Sequence, residues 1–141
     1  MKLSAKTRYG IAALTYMHLN DKELTPLIAI AGHLNISKIY LEQVFTSLKQ
    51  ANLVDAVKGP SGGYFLKSNE CTMYNIITAL EPNLFEPTSA STDDDAINSA
   101  LCDHLYTPLD STIKETLKGI KLKDIANKIK DASSDSLMYY I

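Results

Sequence analysis

The feature that most constrains this chain is a stretch, residues 26–66, in which two short helix patterns are followed directly by a glycine-rich turn. Apolar residues recur at helical spacing over 26–34 and again over 38–51, and three or four residues join the two segments. The sequence GPSGG at 59–63 then separates two short strand-forming segments. A hairpin directly after a helix-turn-helix pair is a wing. The predicted fold is therefore mainly α with a small β-hairpin wing, a winged helix-turn-helix.

Cap residues indicate where the helices begin. Ser4 predicts a first helix over 5–19, and Ser37 is a cap for the second helix of the pair. Thr25-Pro26 and Thr107-Pro108 each combine a cap residue with proline at the first helical position. A long C-terminal helix is therefore expected to start at residue 107.

The predicted elements divide the chain into four parts. Residues 1–81 form the winged helix-turn-helix DNA-binding domain, which includes a fourth helix over 72–80. Residues 82–106 contain the polar run EPTSASTDDD and are expected to be a flexible loop or sensor region. Residues 107–130 supply dimerisation and closing helices, the last of them short, and 131–141 are expected to be a frayed tail.

An apolar stripe runs along the predicted C-terminal helix. It consists of Leu109, Ile113, Leu117 and Ile120, and Gly119 interrupts the helix near its end. The first four helices already supply a core for the domain. The stripe therefore needs another cover, which we expect to be the same stripe of a second copy in a homodimer.

Charge is distributed unevenly along the chain. Residues 1–67 hold eight Lys or Arg and four Asp or Glu, whereas residues 68–141 hold six and twelve. The overall net charge of −2 thus divides into +4 and −6. Binding to phosphate needs local positive charge, so the first half is the expected nucleic-acid-binding part.

Length and composition exclude several classes of protein. A chain of 141 residues with 45% hydrophobic residues is expected to form one compact unit. It has no apolar run long enough to span a membrane and no secretory signal, so we expect a cytoplasmic protein. Two cysteines, far apart, cannot build a disulfide framework or a four-cysteine metal site within one chain.

The second helix of the pair has the chemistry of a DNA recognition helix. Such a helix exposes hydrogen-bonding groups to the major groove while its other face packs on the core. Glu42 could accept a hydrogen bond from a cytosine amino group, and Gln43 could pair with adenine. The alternative is an ordinary solvated helix face. The candidate residues left over by the apolar face are Ser37, Lys38, Tyr40, Glu42, Gln43, Ser47 and Lys49.

The turn of the wing is a second candidate contact. Lys58 stands at its start and could enter the minor groove, while backbone amides of the turn bind phosphate. The alternative is that the glycines serve only a tight hairpin. Lys2, Lys6 and Arg8 at the N-terminus are candidate phosphate contacts. The turn residues in this set are Gly59, Ser61, Gly62, Gly63 and Tyr64.

The same turn also matches a hydrolase motif. Gly59, Ser61 and Gly63 satisfy G-x-S-x-G, the nucleophile elbow, which requires a strand-to-helix turn on a large sheet. Here a strand is predicted after the turn, and the chain is too short for that fold. No lysine of the Walker type follows the glycines. The protein is therefore not expected to be an enzyme.

Three segments in this order resemble the Rrf2 family of transcriptional regulators: MKLSAKTRYGIAAL, ISKIYLEQVFTSLKQANLV and VKGPSGGYFL. The resemblance is strong over residues 1–80 and weaker through LYTPLDSTIKETLKGIKLKDI. It implies a homodimeric regulator, expected to be a repressor, that binds a pseudo-palindromic site on double-stranded DNA. Members of the family more often have arginine at the position of Lys58, and lysine reads a narrow minor groove less strongly.

The resemblance also bears on cofactors. Cluster-binding members have three cysteines in the loop before the long helix, plus a further ligand. Here that loop offers Cys102 alone, beside Asp103 and His104, and Cys71 precedes the fourth helix. We therefore expect no iron-sulfur cluster and no metal. Three alternatives stay open for Cys102 and His104: a thiol switch, an unusual metal site shared across the dimer, or an ordinary surface loop.

One further alternative concerns the whole protein. The winged fold could serve as a protein-interaction module that acts through an effector or a partner protein. His18 and His33 lie on or beside helical faces and are expected to be structural residues.

Overall fold

The chain forms seven α-helices and one hairpin in the part that the structure describes, residues 1–20 and 23–138 of a computed structural model. The hairpin strands are β1 (Val54–Val57) and β2 (Gly63–Leu66). No helix among these residues is long and apolar enough to span a membrane. The helices are α1 (Ala5–Asn20), α2 (Leu27–Leu34), α3 (Lys38–Gln50), α4 (Met73–Leu80), α5 (Asp95–Leu101), α6 (Thr107–Lys118) and α7 (Leu122–Met138).

The core lies between α1, α3 and α4, with α2 and α7 closing its sides. Each helix contributes residues at helical spacing, so that one face is buried and the other is not. Leu14, Phe45 and Ile76 are fully buried and represent the three central helices. This packing fixes the position of α3, because its apolar face is held from both sides.

Two of the predicted caps are confirmed, and a third cap is present at the start of α4. The Ser4 hydroxyl accepts a hydrogen bond from the Thr7 amide at 3.1 Å, and the Ser37 hydroxyl accepts from the Tyr40 amide at 3.4 Å. Thr72 and Asn75 form a reciprocal capping box at the start of α4. These caps satisfy amides that the first helical turn leaves without a partner, and the side chain lies within three residues of its target.

The prediction that Thr25 caps α2 is wrong. Pro26 occupies the cap position, and Thr25 instead pairs with Tyr64 of β2 in an isolated antiparallel β-bridge. The Thr25 amide donates to the Tyr64 carbonyl at 2.9 Å, and the Tyr64 amide donates back to the Thr25 carbonyl at 2.8 Å. This pairing ties the wing to the start of the helix-turn-helix, so the hairpin is supported along both edges of β2.

The wing is a regular antiparallel hairpin. Its register runs from Val54 opposite Leu66 to Val57 opposite Gly63. Val54 is buried, and the Tyr64 ring packs edge-on against Phe45 with 4.7 Å between the ring centroids. The wing is therefore packed against α3 through this aromatic pair.

Helix α6 begins at Thr107 as predicted, but the prediction that Thr107 caps it is wrong. Helix α5 passes through a π-helical turn, Cys102–Tyr106, directly into α6, and the Thr107 amide donates to the Cys102 carbonyl. A proline inside a helix has no N–H to donate, and its ring crowds the carbonyl four residues back. The wider turn ahead of Pro108 accommodates that loss without ending the helix.

The flexible loop or sensor region predicted over 82–106 contains helical segments. Pro82–Phe85 form a 3-10 turn, and α5 begins at Asp95, where the Asp94 carboxylate accepts from the Ile97 amide at 3.0 Å. Only residues 86–94 lie outside any helix in this stretch. The polar sequence of this loop ends at an aspartate cap, which starts the helix.

The last helix is longer than expected. Helix α7 packs on α1, with Leu122 and Ala126 fully buried, and continues to Met138. The frayed tail expected from residue 131 is thus wrong up to residue 138, because neither glycine nor proline interrupts this stretch. Residues 139–141 of that prediction lie outside the described part of the chain.

Candidate nucleic-acid interface

Helix α3 presents one face to the core and the opposite face to solvent. Leu41, Val44, Phe45 and Leu48 are fully buried. At about 100° per residue, the direction opposite to this buried group passes between Ile39 and Gln43. The exposed residues around that direction are Ile39, Glu42, Gln43, Thr46 and Gln50. We call these five residues the outward face of α3.

Glu42 and Gln43, the two residues predicted to contact bases, lie on the outward face of α3. Glu42 forms an ion pair with Lys38, with 3.8 Å between Nζ and Oε1, and both side chains are about half exposed. Because such a surface pair contributes little energy, either partner can exchange it for a contact with DNA.

The other predicted residues of α3 lie at its edges. Tyr40 is half-buried and packs edge-on against Tyr9, with ring centroids 5.8 Å apart. Lys49 pairs with Asp55 of β1, with 3.7 Å between Nζ and Oδ1. Its partly exposed partner Asp55 has a pKa lowered mainly by the Ala56 amide, which donates to it. Tyr40 and Lys49 therefore lie beside the outward face of α3 and are in contact with neighbouring elements of the same chain.

Ile39, Thr46 and Gln50 were missed by the sequence prediction. Ile39 is the most exposed large apolar side chain on α3, with 71% of its surface accessible. A helical projection through the four buried residues would have identified all three. The sequence prediction considered residues with hydrogen-bonding groups, and Ile39 has no such group.

The N-terminal basic residues lie beside this surface. Lys6 on α1 donates from Nζ to the Ser47 hydroxyl of α3 at 2.8 Å, and Arg8 is exposed. The Glu81 carboxylate accepts from the Ser4 amide and from the buried Thr7 hydroxyl, the latter at 2.8 Å. The start of α1 is thereby held in place, with its basic residues next to α3.

The glycines of the wing turn have a structural reason. Gly59 has φ of +114°, which side-chain-bearing residues rarely adopt. A Cβ on Gly63 would lie 2.7 Å from the Thr25 carbonyl carbon, so only glycine allows the pairing of Thr25 with β2. The hairpin alone therefore accounts for these glycines. Lys58 and Ser61 are exposed at the same turn.

A cleft of about 380 Å³ separates the wing from the helix pair. Lys38 at the start of α3 and Lys58 at the start of the turn lie on its walls, and Ile28 and Val57 add exposed apolar surface. The remaining lining residues are Pro26, Leu27, Ala56, Gly59, Gly62, Gly63 and Tyr64. The cleft thus combines two cations with backbone of the turn.

The G-x-S-x-G motif is not a nucleophile elbow. The turn leads into strand β2 rather than into a helix, and the sheet has two strands in the described part of the chain. Ser61 therefore lacks the strand-to-helix geometry that the hydrolase motif requires.

The two cysteines lie in different environments. Cys71 is buried, and burial raises the pKa of its thiol, which disfavours the reactive thiolate. Cys102 begins the π-helical turn and is half-buried, with Asp103 and His104 exposed beside it. No group of three or more His, Cys, Asp or Glu within the described ranges is placed to hold a metal ion.

The predicted apolar stripe is divided between two environments. Leu117 and Ile120 pack against the core of their own chain, so they do not need the external cover that the sequence suggested. Ile113 is half-buried beside Phe85, whereas Leu109 is 52% exposed.

A helix-turn-helix with an exposed recognition face, a wing and adjoining lysines defines the class of winged-helix DNA-binding regulators. Residues 3–128 match the profile of the Rrf2 family, described as "Iron-dependent Transcriptional regulator". The chain belongs to this family. It is a DNA-binding transcriptional regulator and not an enzyme.

The relatives cover nearly the whole chain. The regulator IscR of Aliivibrio salmonicida is 33% identical to this chain over 94% of this chain's length and 83% of its own length. CymR of Bacillus subtilis is 32% identical over the full length of both. The solved structure of B. subtilis CymR, "the Global Cysteine Regulator", superposes with a TM-score of 0.77 over 91% of this chain and 98% of its own, at 30% identity. The structure of T. potens IscR superposes with a TM-score of 0.71 over 94% of this chain and 90% of its own length, at 29% identity.

Proposed function

We propose that this protein is a cytoplasmic homodimer that represses transcription by binding a pseudo-palindromic operator. The observation that carries the proposal is the outward face of α3, which stands next to a lysine-lined cleft and the wing turn. A single copy presents one such surface and reads one half-site. Two-fold symmetry then requires two half-sites one or two helical turns apart.

The geometry supports a particular way of binding DNA. The outward face of α3 enters the major groove, where Gln43 binds adenine and Glu42 binds the amino group of cytosine. Lys58 at the turn enters the adjacent minor groove. The strand between the two grooves then passes through the cleft of about 380 Å³, where Lys38 and the turn amides bind its phosphates. Lys6, Arg8, Ser37 and Lys49 contact the backbone at the edges.

The dimer contact is proposed for an apolar line on α5 and α6. Ile97, Leu105 and Leu109 are each about half exposed, at 50%, 50% and 52%. In an α-helix, side chains four residues apart differ in direction by about 40° around the helix axis. The wider π-helical turn between α5 and α6 offsets this difference and keeps the three side chains on one side. A second copy covers this line, with Ile113 at its end.

The donor set does not fit the cluster of the family's three-cysteine type. A dimer supplies two buried Cys71 and two Cys102, so each of two symmetric sites would have at most two thiolates. We infer that this chain binds no such cluster. Its signal then reaches it through Cys102, through a small molecule or through a partner protein.

Selection of bound fragments from random DNA tests the proposal. The expected result is an enriched sequence with two inverted half-sites, bound by a dimer with an affinity that falls steeply as salt rises. Enrichment of no sequence, with retention only of a protein partner, would support the interaction-module alternative. A bound site without inverted symmetry would contradict the dimer.

A further inference from the structure

We propose that Ile39 reads a thymine methyl group in each half-site, and that it is a specificity-determining residue of this regulator. The inference rests on the proposed function, because it assumes that α3 lies in the major groove. It adds a base and a chemical group that the hydrogen-bonding residues do not specify.

The position of Ile39 on α3 carries the argument. Ile39 and Gln43 are four residues apart and flank the direction opposite to the buried Leu41, Val44 and Phe45. Ile39 also lies in the first turn of the helix. The N-terminal end of a recognition helix is the part that reaches base edges. Ile39 therefore projects toward the floor of the groove.

The neighbours of Ile39 in the first turn have other contacts. The Ser37 hydroxyl caps the helix at the Tyr40 amide, and the Tyr40 ring packs on Tyr9. Lys38 lines the cleft, where it is proposed to bind phosphate. Ile39 in contrast is 71% exposed. Among the side chains at this end of α3, it is the one that gains most from burial in a complex.

The chemistry of the groove identifies what Ile39 contacts. The edges of the bases present hydrogen-bond donors and acceptors in the major groove, and the C5 methyl of thymine is the apolar group among them. A branched aliphatic side chain without a donor or acceptor leaves the polar edges of guanine, adenine or cytosine unpaired. A thymine methyl instead loses water against Ile39 at no such cost.

Replacing single thymines of the selected operator by deoxyuridine removes only the methyl group. Each thymine is replaced in turn at symmetric positions of both half-sites, and binding of the full chain is measured. Burial of one methyl group corresponds to an affinity change of about fourfold, so the symmetric pair is expected to weaken binding about tenfold or more at one position. In Ile39→Ala the sensitivity to deoxyuridine at that position should disappear, while base preferences elsewhere persist.

Ile129→Ala is the matched control. Ile129 is an isoleucine with 41% exposure on α7, outside the outward face of α3 and the cleft. Its variant should retain the deoxyuridine effect. If the parent binds the operator and no thymine methyl matters, or if Ile39→Ala retains the effect, the assignment of Ile39 is wrong although the proposed function stands. If no DNA sequence is selected, both fail.

Discussion

At the residue scale, the two proposed kinds of DNA contact lie at different places on the surface. Gln43 occupies the centre of the outward face of α3, whereas Lys58 lies at the wing turn beside the cleft. An amide side chain distinguishes adenine from other bases, while a lysine ammonium binds negative potential in any sequence. Substitutions at these two positions should therefore change different properties of the complex.

Gln43→Ala should lose discrimination at one base pair of each half-site, by about 1–3 kcal/mol. The reason is that alanine cannot form the paired hydrogen bonds with adenine. Lys58→Ala is the comparison variant. It should weaken binding to all sequences to a similar extent and reduce the dependence of affinity on salt. Binding titrations against single-base operator variants at several salt concentrations measure both effects. Parental behaviour of both variants would place the interface elsewhere.

At the element scale, Glu70 connects the end of the wing segment to the start of α7. Its carboxylate contacts Lys121 Nζ at 2.5 Å and Lys123 Nζ at 2.7 Å. The hydrogen bond from Lys121, followed by that from Lys123, lowers the pKa of Glu70 from 4.5 to about 2. Backbone bonds reinforce this junction, since the Met73 amide donates to Ile120 and the Leu122 amide donates to Cys71.

The lowered pKa of Glu70 predicts a pH dependence of stability. A carboxyl whose pKa is lower in the folded state contributes stability above its unfolded pKa, near 4.5, and loses it as pH falls toward about 2. Because Glu70 is exposed, solvent screening keeps the effect small. Glu70→Gln should therefore slightly lower the melting temperature at pH 7 and flatten its decline between pH 4.5 and 2. An unchanged pH profile in thermal melts would argue against the ion pairs.

Helix α6 should carry the dimer contact, so Leu109→Glu should convert the dimer to a folded monomer. Leu109 is 52% exposed, so the single chain tolerates the substitution. A dimer interface would have to bury an unpaired charge, which costs several kcal/mol. Ser111→Glu is the matched control. It places the same charge two residues further on, about 200° around the helix. Sedimentation at micromolar concentration distinguishes the two, and a dimeric Leu109→Glu would move the interface.

The starts of the elements show which of them sequence can predict. Ser4 and Ser37 were correctly predicted as caps because each side chain bonds to an amide three residues further along the chain. Thr25 carries the same local signal, but its backbone pairs with Tyr64, which is distant in sequence. Helix α6 begins at Thr107 as predicted, but Thr107 does not cap it, because the π-helical turn leads into α6 without a break. Hydrogen bonds between residues close in sequence can be predicted from the sequence. Pairings between distant segments compete with these local bonds and cannot be predicted in this way.

At the scale of the whole molecule, the order of helix pair, wing and C-terminal helices was predictable because each depends on periodicity or turn residues. The candidate site was predictable in part. Glu42 and Gln43 lie on the outward face as expected. To identify Ile39, one must know the direction of the buried face of α3. To see that Leu117 is covered within its own chain, one must know that α6 packs on α4. Which apolar residues are covered internally depends on the tertiary arrangement, not on spacing.

The absence of a cluster of the three-cysteine type is a prediction about the assembled molecule. Protein purified without oxygen from iron-replete cells should be colourless, and a chelator should leave its affinity for the selected operator unchanged. The reason is the shortage of thiolates, since only Cys71 and Cys102 are present in each chain. Stoichiometric iron and sulfide in the parent, lost in Cys102→Ser, would overturn the inference and make Cys102 a ligand.

The central claim is that α3 and the wing of two symmetric copies read adjacent grooves of one operator. Chemical footprinting of the selected operator tests it most directly, with one probe for major-groove bases and hydroxyl radicals for the minor-groove sugars. The account predicts two symmetric footprints one or two helical turns apart, each with protected major-groove bases next to protected minor-groove sugars. A single unsymmetrical footprint, or protection of the major groove without the adjacent minor groove, would contradict it.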